Sequence, residues 1–307
     1  MIVSKNLSKQ FGEFEALKNV SFEIEQGEIV GFLGQNGAGK TTLMRILTAY
    51  LPSSSGQAFV GGEDVSLNPL AVHKKIGYLP ETPPLYPNMT VKAYLRFAAQ
   101  LKDVGVKFQK AQVEHVLEEC RLEDVQNQVI GTLSRGYKQR VGIAQAIVHE
   151  PEVIILDEPT NGLDPIQILH VRELIRKLEH KRTVIVSTHI LSEIEQLAKR
   201  VLIIKKGEIV VDSNLEKFLI PDDRKQIFVK VKGEEFHIEQ AVKDTNSVKQ
   251  INIEFLGEDI YELHLENTNN VAHYGELVQN FIKYGIKVIE IKEKKGTLEE
   301  AFLKINK

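Results

Sequence analysis

The stretch that most constrains this chain is Gly34-Gln35-Asn36-Gly37-Ala38-Gly39-Lys40-Thr41-Thr42, which fits the Walker A pattern G-x-x-x-x-G-K-[ST]. Ahead of it, Glu28-Ile29-Val30-Gly31-Phe32-Leu33 reads as a short buried strand. Behind it, Leu43, Ile46, Leu47 and Tyr50 recur at helical spacing. Strand, glycine loop and helix together make a phosphate cradle. Gly34, Gly37 and Gly39 can take backbone angles that a side chain forbids, so successive N–H groups can converge on one anion. Asn36, Ala38 and Thr42 complete that loop. A helix starting near Lys40 adds the partial positive charge of its N-terminus. Lys40 is then placed to reach the β- and γ-phosphates of a nucleotide, and the Thr41 hydroxyl to ligate magnesium.

At 307 residues the chain exceeds what one hydrophobic core usually serves, so two domains are expected. A formal net charge of -3 gives no general pull toward nucleic acid or an anionic membrane. Cys120 is the only cysteine, which leaves no disulfide framework or thiol metal cluster; it reads as a small apolar residue packed on a helix. Met1-Ile2-Val3-Ser4-Lys5-Asn6 does not open a secretory signal, and no run approaches the eighteen or so apolar residues of a membrane span. The expectation is a cytoplasmic chain whose membrane role comes through a partner.

Taken in order, Ile2-Val3 and Val20 to Ile24 read as strands around a turn at Phe11-Gly12-Glu13. Phe11 either stacks on a base ring or fills a core edge. A strand pair surrounds Gly61-Gly62. After Glu81 the prolines at 83, 84 and 87 break the backbone, and Thr90 opens a mostly helical stretch, an insertion of about 82–149 in an α/β core. Within it Ser134 can cap the helix running through Ile143 and Ile147. Val153 to Leu156 then form a buried strand ending in Asp157-Glu158, where parallel sheets carry ligands. Asp157 is placed to hold magnesium and Glu158 to take a proton from an attacking water. Asn161 to Pro165 is a turn before a helix to about Glu179. Thr183 to Thr188 is another buried strand. His189 at its tip can face a γ-phosphate, orient the water or cap the next helix. Lys205-Lys206-Gly207 makes a tight hairpin. Pro221-Asp222-Asp223 marks a linker between a 1–220 domain and a 225–307 domain. The second domain reads as strand, helix, strand, strand, helix, strand, a split βαβ (ferredoxin-like) α+β arrangement with a short helix Leu298 to Lys304 at the end. From Lys225 onward there are twelve lysines, fourteen acids and no arginine, which does not suit nucleic-acid reading.

These pieces, in this order, make the first 220 or so residues resemble the ATP-binding subunit of ATP-binding-cassette transporters, a P-loop NTPase fold with a helical subdomain. The resemblance implies that Phe11 stacks on adenine, that Ser134 to Gly136 form the family signature, that Asp164 lies in the D-loop and that His189 is the switch histidine. It implies ATP and Mg2+ as cofactors. Two departures stand out: Leu133-Ser134-Arg135-Gly136-Tyr137 replaces Leu-Ser-Gly-Gly-Gln while keeping the serine and second glycine, and Glu81 replaces the glutamine that touches the magnesium. The resemblance further implies a dimer of cassettes, identical or not, in which Ser134 and Gly136 complete the partner's site. Polytopic membrane permeases would then be separate chains, holding the subunit at the cytoplasmic face of the inner membrane. Export-type single cassettes with a C-terminal extension are closest in pattern. Among them, the run Leu133 to Val141, the run Leu47 to Leu51 and the length look like gliding-motility-associated subunits, with multidrug-export subunits nearby. A cassette ATPase that moves no solute is the other reading; such proteins usually carry two cassettes or a long heptad insertion, and this chain has neither.

Overall fold

Ile29–Leu33 is buried at every position, because a parallel strand covered on both faces has no side for polar residues. In the computed structural model, which describes residues 1–178, 182–218, 226–246, 248–267, 274–293, 298 and 302, this strand lies inside the larger of three sheets. The chain divides into two units, Met1–Leu215 and Glu216–Lys307.

The first unit begins with β1 (Ile2–Phe11), β2 (Phe14–Ile24), β3 (Ile29–Leu33), α1 (Lys40–Leu47), β4 (Ser55–Val60), β5 (Glu63–Asp64), α2 (Pro69–Lys75) and β6 (Ile76–Leu79). Three helices follow: α3 (Val91–Leu101), α4 (Val106–Glu119) and α5 (Arg135–Ile147). The unit then returns to the core with β7 (Val153–Asp157), α6 (Pro165–Leu178), β8 (Thr183–Thr188), α7 (Leu191–Leu197), β9 (Arg200–Lys205) and β10 (Glu208–Asn214), and α8 (Leu215–Phe218) runs across its end. β1, β2, β4 and β5 form an antiparallel sheet in the order β2-β1-β4-β5. The larger sheet runs β10-β9-β3-β8-β7-β6 and is parallel except for its edge strand β10. α1 lies in one apolar cluster with both sheets: Leu43, Met44 and Leu47 join Phe32 and Ile155 on one side to Leu7 and Leu17 on the other.

The helical periodicity read through Tyr50 ends earlier than that. α1 stops at Leu47 because Ala49 takes a left-handed conformation (φ 55°), letting Tyr50 N–H donate to the Arg45 carbonyl at 2.9 Å and Ala49 N–H to that of Ile46 at 2.9 Å. Tyr50 is left 76% exposed. In the helical stretch, the Thr90 side chain caps α3 by accepting from Ala93 N–H, as its position before an amphipathic run suggests.

His149, just past α5, makes this unit sensitive to acid. Its Nε2 pairs with the Ile76 carbonyl at 3.0 Å, a geometry that needs the proton on that nitrogen, and Nδ1 has no partner. Burial, reinforced by the charge of Lys102 and offset in part by the bond to Ile76, brings its pKa down to about 4 from 6.5. The folded protein therefore keeps the ring neutral where the unfolded chain takes up a proton. This contribution, on the order of 3 kcal/mol, is fully present above pH 6.5 and is lost as pH falls toward 4. The urea midpoint is expected to drop across that window, and His149→Gln to flatten the drop; parallel pH profiles for the two proteins would refute the assignment.

The second unit contains β11 (Gln226–Lys232), α9 (Glu235–Lys243), β12 (Val248–Gly257), β13 (Ile260–Asn267), α10 (Tyr274–Lys283) and β14 (Lys287–Glu293). The sheet order β12-β13-β11-β14, antiparallel throughout, is the split βαβ plan. Alternate residues Val229, Val231, Leu263 and Leu265 turn inward against Ile238, Leu277 and Phe281. The linker at Pro221 to Asp223 lies outside the described residues, as do the expected start of α10 at Val271 and, apart from Leu298 and Phe302, the terminal helix.

Candidate functional site

β3 ends at Leu33, and the glycine loop connects it to α1. The three loop glycines are there for different reasons. A Cβ on Gly34 would lie 2.7 Å from the Ile204 carbonyl oxygen, so this position is limited by space. Gly37 has open surroundings but φ +80°, and Gly39 has φ +111° with the Ala16 carbonyl oxygen 2.7 Å from where a Cβ would be. The loop is also held from outside, since Gly207 N–H donates to the Ala38 carbonyl at 3.0 Å. Lys40, buried at the first position of α1, donates through Nζ to the Gly34 carbonyl at 2.7 Å.

The acidic half of the site comes from the parallel pairing of β7 with β8, which sets Asp157 directly opposite Ser187. Both Asp157 oxygens are engaged: Ser187 Oγ donates to Oδ1 at 2.5 Å, and Thr41 Oγ1 to Oδ2 at 3.2 Å. Glu158 has a left-handed backbone (φ 50°) that takes the chain out of the strand, and its N–H donates to the Ser187 carbonyl at 2.9 Å. Its carboxylate lies 3.9 Å from Lys40 Nζ and 2.8 Å from His189 Nδ1. Burial lowers the pKa of Lys40, and Glu158, Asp157 and Glu81 push it back up. One buried cation thus feels the charge of three carboxylates, of which Glu158 is in ion-pair contact.

Lys40, Thr41, Asp157, Glu158 and His189 therefore form one linked cluster. Glu81 is exposed at its margin and accepts from Asn161 Nδ2 at 3.2 Å. Asp164 Oδ1 accepts from Gln167 N–H at 3.0 Å, capping α6. Ser134 caps α5 by accepting from Tyr137 N–H at 3.4 Å, and buried Gly136 lies so near the Gln167 side chain that a Cβ would come within 2.3 Å of it. Among the described residues, no hydrogen bond or ion pair joins Ser134 or Gly136 to the Lys40 cluster. Phe11 stands at the end of β1, 47% exposed, with Lys9 Nζ 5.1 Å from its ring centroid. Ser187, Asn161, Thr160 and Glu193 were not singled out from the sequence; the one available signal was a serine interrupting an apolar strand just before its end.

The donors fit what a nucleotide and a hard cation require. Loop amides and a lysine suit phosphate oxygens. The hydroxyl of Thr41 and the carboxylate of Asp157, already within hydrogen-bonding distance, offer the oxygen ligands that magnesium prefers. A family model described as "ABC transporter" matches residues 17–161. The chain is 35% identical to the bacitracin transport ATP-binding protein BcrA of Bacillus licheniformis, over 99% of this chain and 97% of that protein. It is 30% identical to the linearmycin resistance ATP-binding protein LnrL of Bacillus subtilis, over 99% and 98%. Among solved structures, the dimeric post-hydrolysis state of the ATP-binding cassette MJ0796 bound to ADP and Pi aligns with a TM-score of 0.64 at 28% identity, covering 70% of this chain and 99% of that one.

Proposed function

The chain belongs to the ABC transporter family as an ATP-binding, ATP-hydrolysing subunit, and from that premise we propose that it powers export through separate membrane subunits. The observation that carries the chemistry is the Lys40–Glu158–His189 grouping at the C-terminal ends of β3, β7 and β8. In the reading we favour, the loop amides and Lys40 hold the triphosphate, and Phe11 packs on the adenine. Thr41 and Asp157 hold magnesium, with Glu81 at the margin; when bound, the ion offsets charge on the phosphate oxygens. Glu158 aligns a water on the γ-phosphorus and takes its proton as the bond to ADP breaks. His189 meets the Glu158 carboxylate through Nδ1, and its other ring nitrogen can donate to the terminal phosphate when the ring carries both protons. Ser134, Gly136 and Asp164 act across a dimer of cassettes, a reading supported by the separation, among the described residues, of Ser134 from the hydrogen bonds of the Lys40 cluster.

No helix among the described residues is long and apolar enough to cross a membrane. A cavity of about 490 Å3 beside Pro80 and Pro84, lined also by Tyr50, Tyr78, Lys102 and Gln145, supports docking of a membrane subunit there. The names of the full-length relatives support export of an antibiotic-like cargo, in line with the multidrug-export pattern, and support transport over a role without solute. Gliding motility rests only on the runs Leu133 to Val141 and Leu47 to Leu51 and on the 307-residue length. The test is phosphate release from ATP and magnesium by the purified protein, together with affinity purification from its source membrane. Hydrolysis and a co-purifying polytopic protein are expected; a chain that neither hydrolyses ATP nor brings down such a protein would overturn the proposal.

A further inference from the structure

Glu193, on α7, is 2% exposed, yet it is not part of the cluster described above. Its Oε2 accepts from Thr160 Oγ1 at 2.6 Å and from Thr188 Oγ1 at 3.2 Å, while Oε1 is buried with no partner. Thr160 and Thr188 are also buried, at 2% and 0% exposure. An acid in the first turn of a helix ordinarily serves the helix dipole from the surface, at little cost. A carboxylate buried with one oxygen unpaired is a poor way to fill space, and an apolar side chain would pack there with less penalty. What distinguishes the position is what the two hydroxyls belong to. Thr188 ends β8 immediately before His189, and its Oγ1 also accepts from Ile190 N–H at 3.1 Å. Thr160 comes two residues after Glu158 and immediately before Asn161, whose side chain donates to Glu81. One oxygen atom thus ties the loop carrying the histidine to the loop that leads from the general base toward Asp164.

We propose that Glu193 is a positioning residue for ATP hydrolysis: its carboxylate holds the His189 loop and the 160–164 loop in the mutual register that the Glu158–His189 contact needs. This rests on the ATPase reading above. Two segments joined by a short, buried, charge-assisted hydrogen bond move together, and a small displacement of an aligned water is enough to slow its attack. Because Glu193 touches neither Lys40 nor the glycine loop, nucleotide capture is independent of it.

The test is steady-state hydrolysis by wild-type, Glu193→Ala and Glu193→Gln proteins, with binding of a fluorescent ATP analogue measured alongside. Glu193→Ala is expected to lower kcat about tenfold or more while KM and analogue affinity stay within about twofold. Glu193→Gln, whose amide oxygen can accept from both hydroxyls, is expected to recover most of the rate. An alanine variant with wild-type kcat would overturn the proposal. So would equal losses in the alanine and glutamine variants, since charge rather than acceptance of the two hydroxyls would then be what matters. Should Glu193→Ala not fold, the Thr160→Val, Thr188→Val double variant removes the same two bonds and keeps the carboxylate; it is expected to show the same fall in kcat, and wild-type turnover there would also overturn the proposal. Failure of the wild-type protein itself to hydrolyse ATP strikes the ATPase reading instead, and so is told apart from failure of the positioning role.

Discussion

Glu158→Gln is expected to slow hydrolysis by about a hundred- to ten-thousandfold while leaving ATP bound, the range associated with loss of a general base. The substitution keeps the shape of the corner. Glutamine can occupy the left-handed backbone at φ 50° about as well as glutamate, and its side chain can still meet His189 Nδ1. What is lost is the ability to take a proton, together with the charge 3.9 Å from Lys40. A site that binds but does not split its nucleotide should hold two cassettes together, because the γ-phosphate that Ser134 and Gly136 would meet from across the dimer persists. Gel filtration with light scattering, at saturating ATP and magnesium, should give twice the monomer mass for the variant. A monomer under those conditions would contradict the shared-site arrangement.

Lys40→Ala is expected to act one step earlier, on capture. The buried Lys40 ammonium is held on the Gly34 and Gln35 carbonyls of the loop, within the electrostatic reach of Glu158, Asp157 and Glu81. Removing it takes away a charge-assisted donor to phosphate and leaves the carboxylates repelling the incoming anion. ATP affinity should fall by roughly a hundredfold or more, and hydrolysis with it. Thermal unfolding provides a check that does not depend on turnover. Saturating ATP should raise the wild-type midpoint, since a ligand bound only by the folded state adds about 2.7 kcal/mol at a hundred times its Kd, while at the same concentration the variant should gain only about 0.4 kcal/mol or less. Unchanged hydrolysis in Lys40→Ala would remove the cradle assignment altogether.

The parts of the site legible beforehand were those whose chemistry restricts both residue type and spacing. A loop that surrounds phosphate needs glycines and a lysine close together in sequence, and a strand that presents carboxylates reads as an apolar run ending in acids. The buried strands β3, β7 and β8 followed from the same kind of apolar run. Less legible was anything that depends on pairing between distant segments. Ser187 is opposite Asp157, and Thr188 opposite Leu33, only because β8 lies between β7 and β3. Glu193, by itself, looks like an ordinary acid at the start of a helix. Strand β1 was visible only as Ile2-Val3, because register shifts after Ser4, with Asn6 at φ 47°, interrupt the two-residue alternation that would have extended it to Phe11. Tyr50 was read into α1 because its spacing is right, whereas the helix had already closed at the left-handed Ala49.

The position of β3 has a consequence for biosynthesis. Its neighbours in the sheet are β8 and β9, and the glycine loop behind it leans on Ile204 and Gly207, all supplied more than 140 residues downstream. A nascent chain that has already exposed its Walker loop therefore lacks the walls that shape it, and a ribosome must release most of the cassette before the loop can set. Competence for ATP is acquired late in synthesis, so truncated or stalled products have no formed cradle with which to compete for the transporter's fuel.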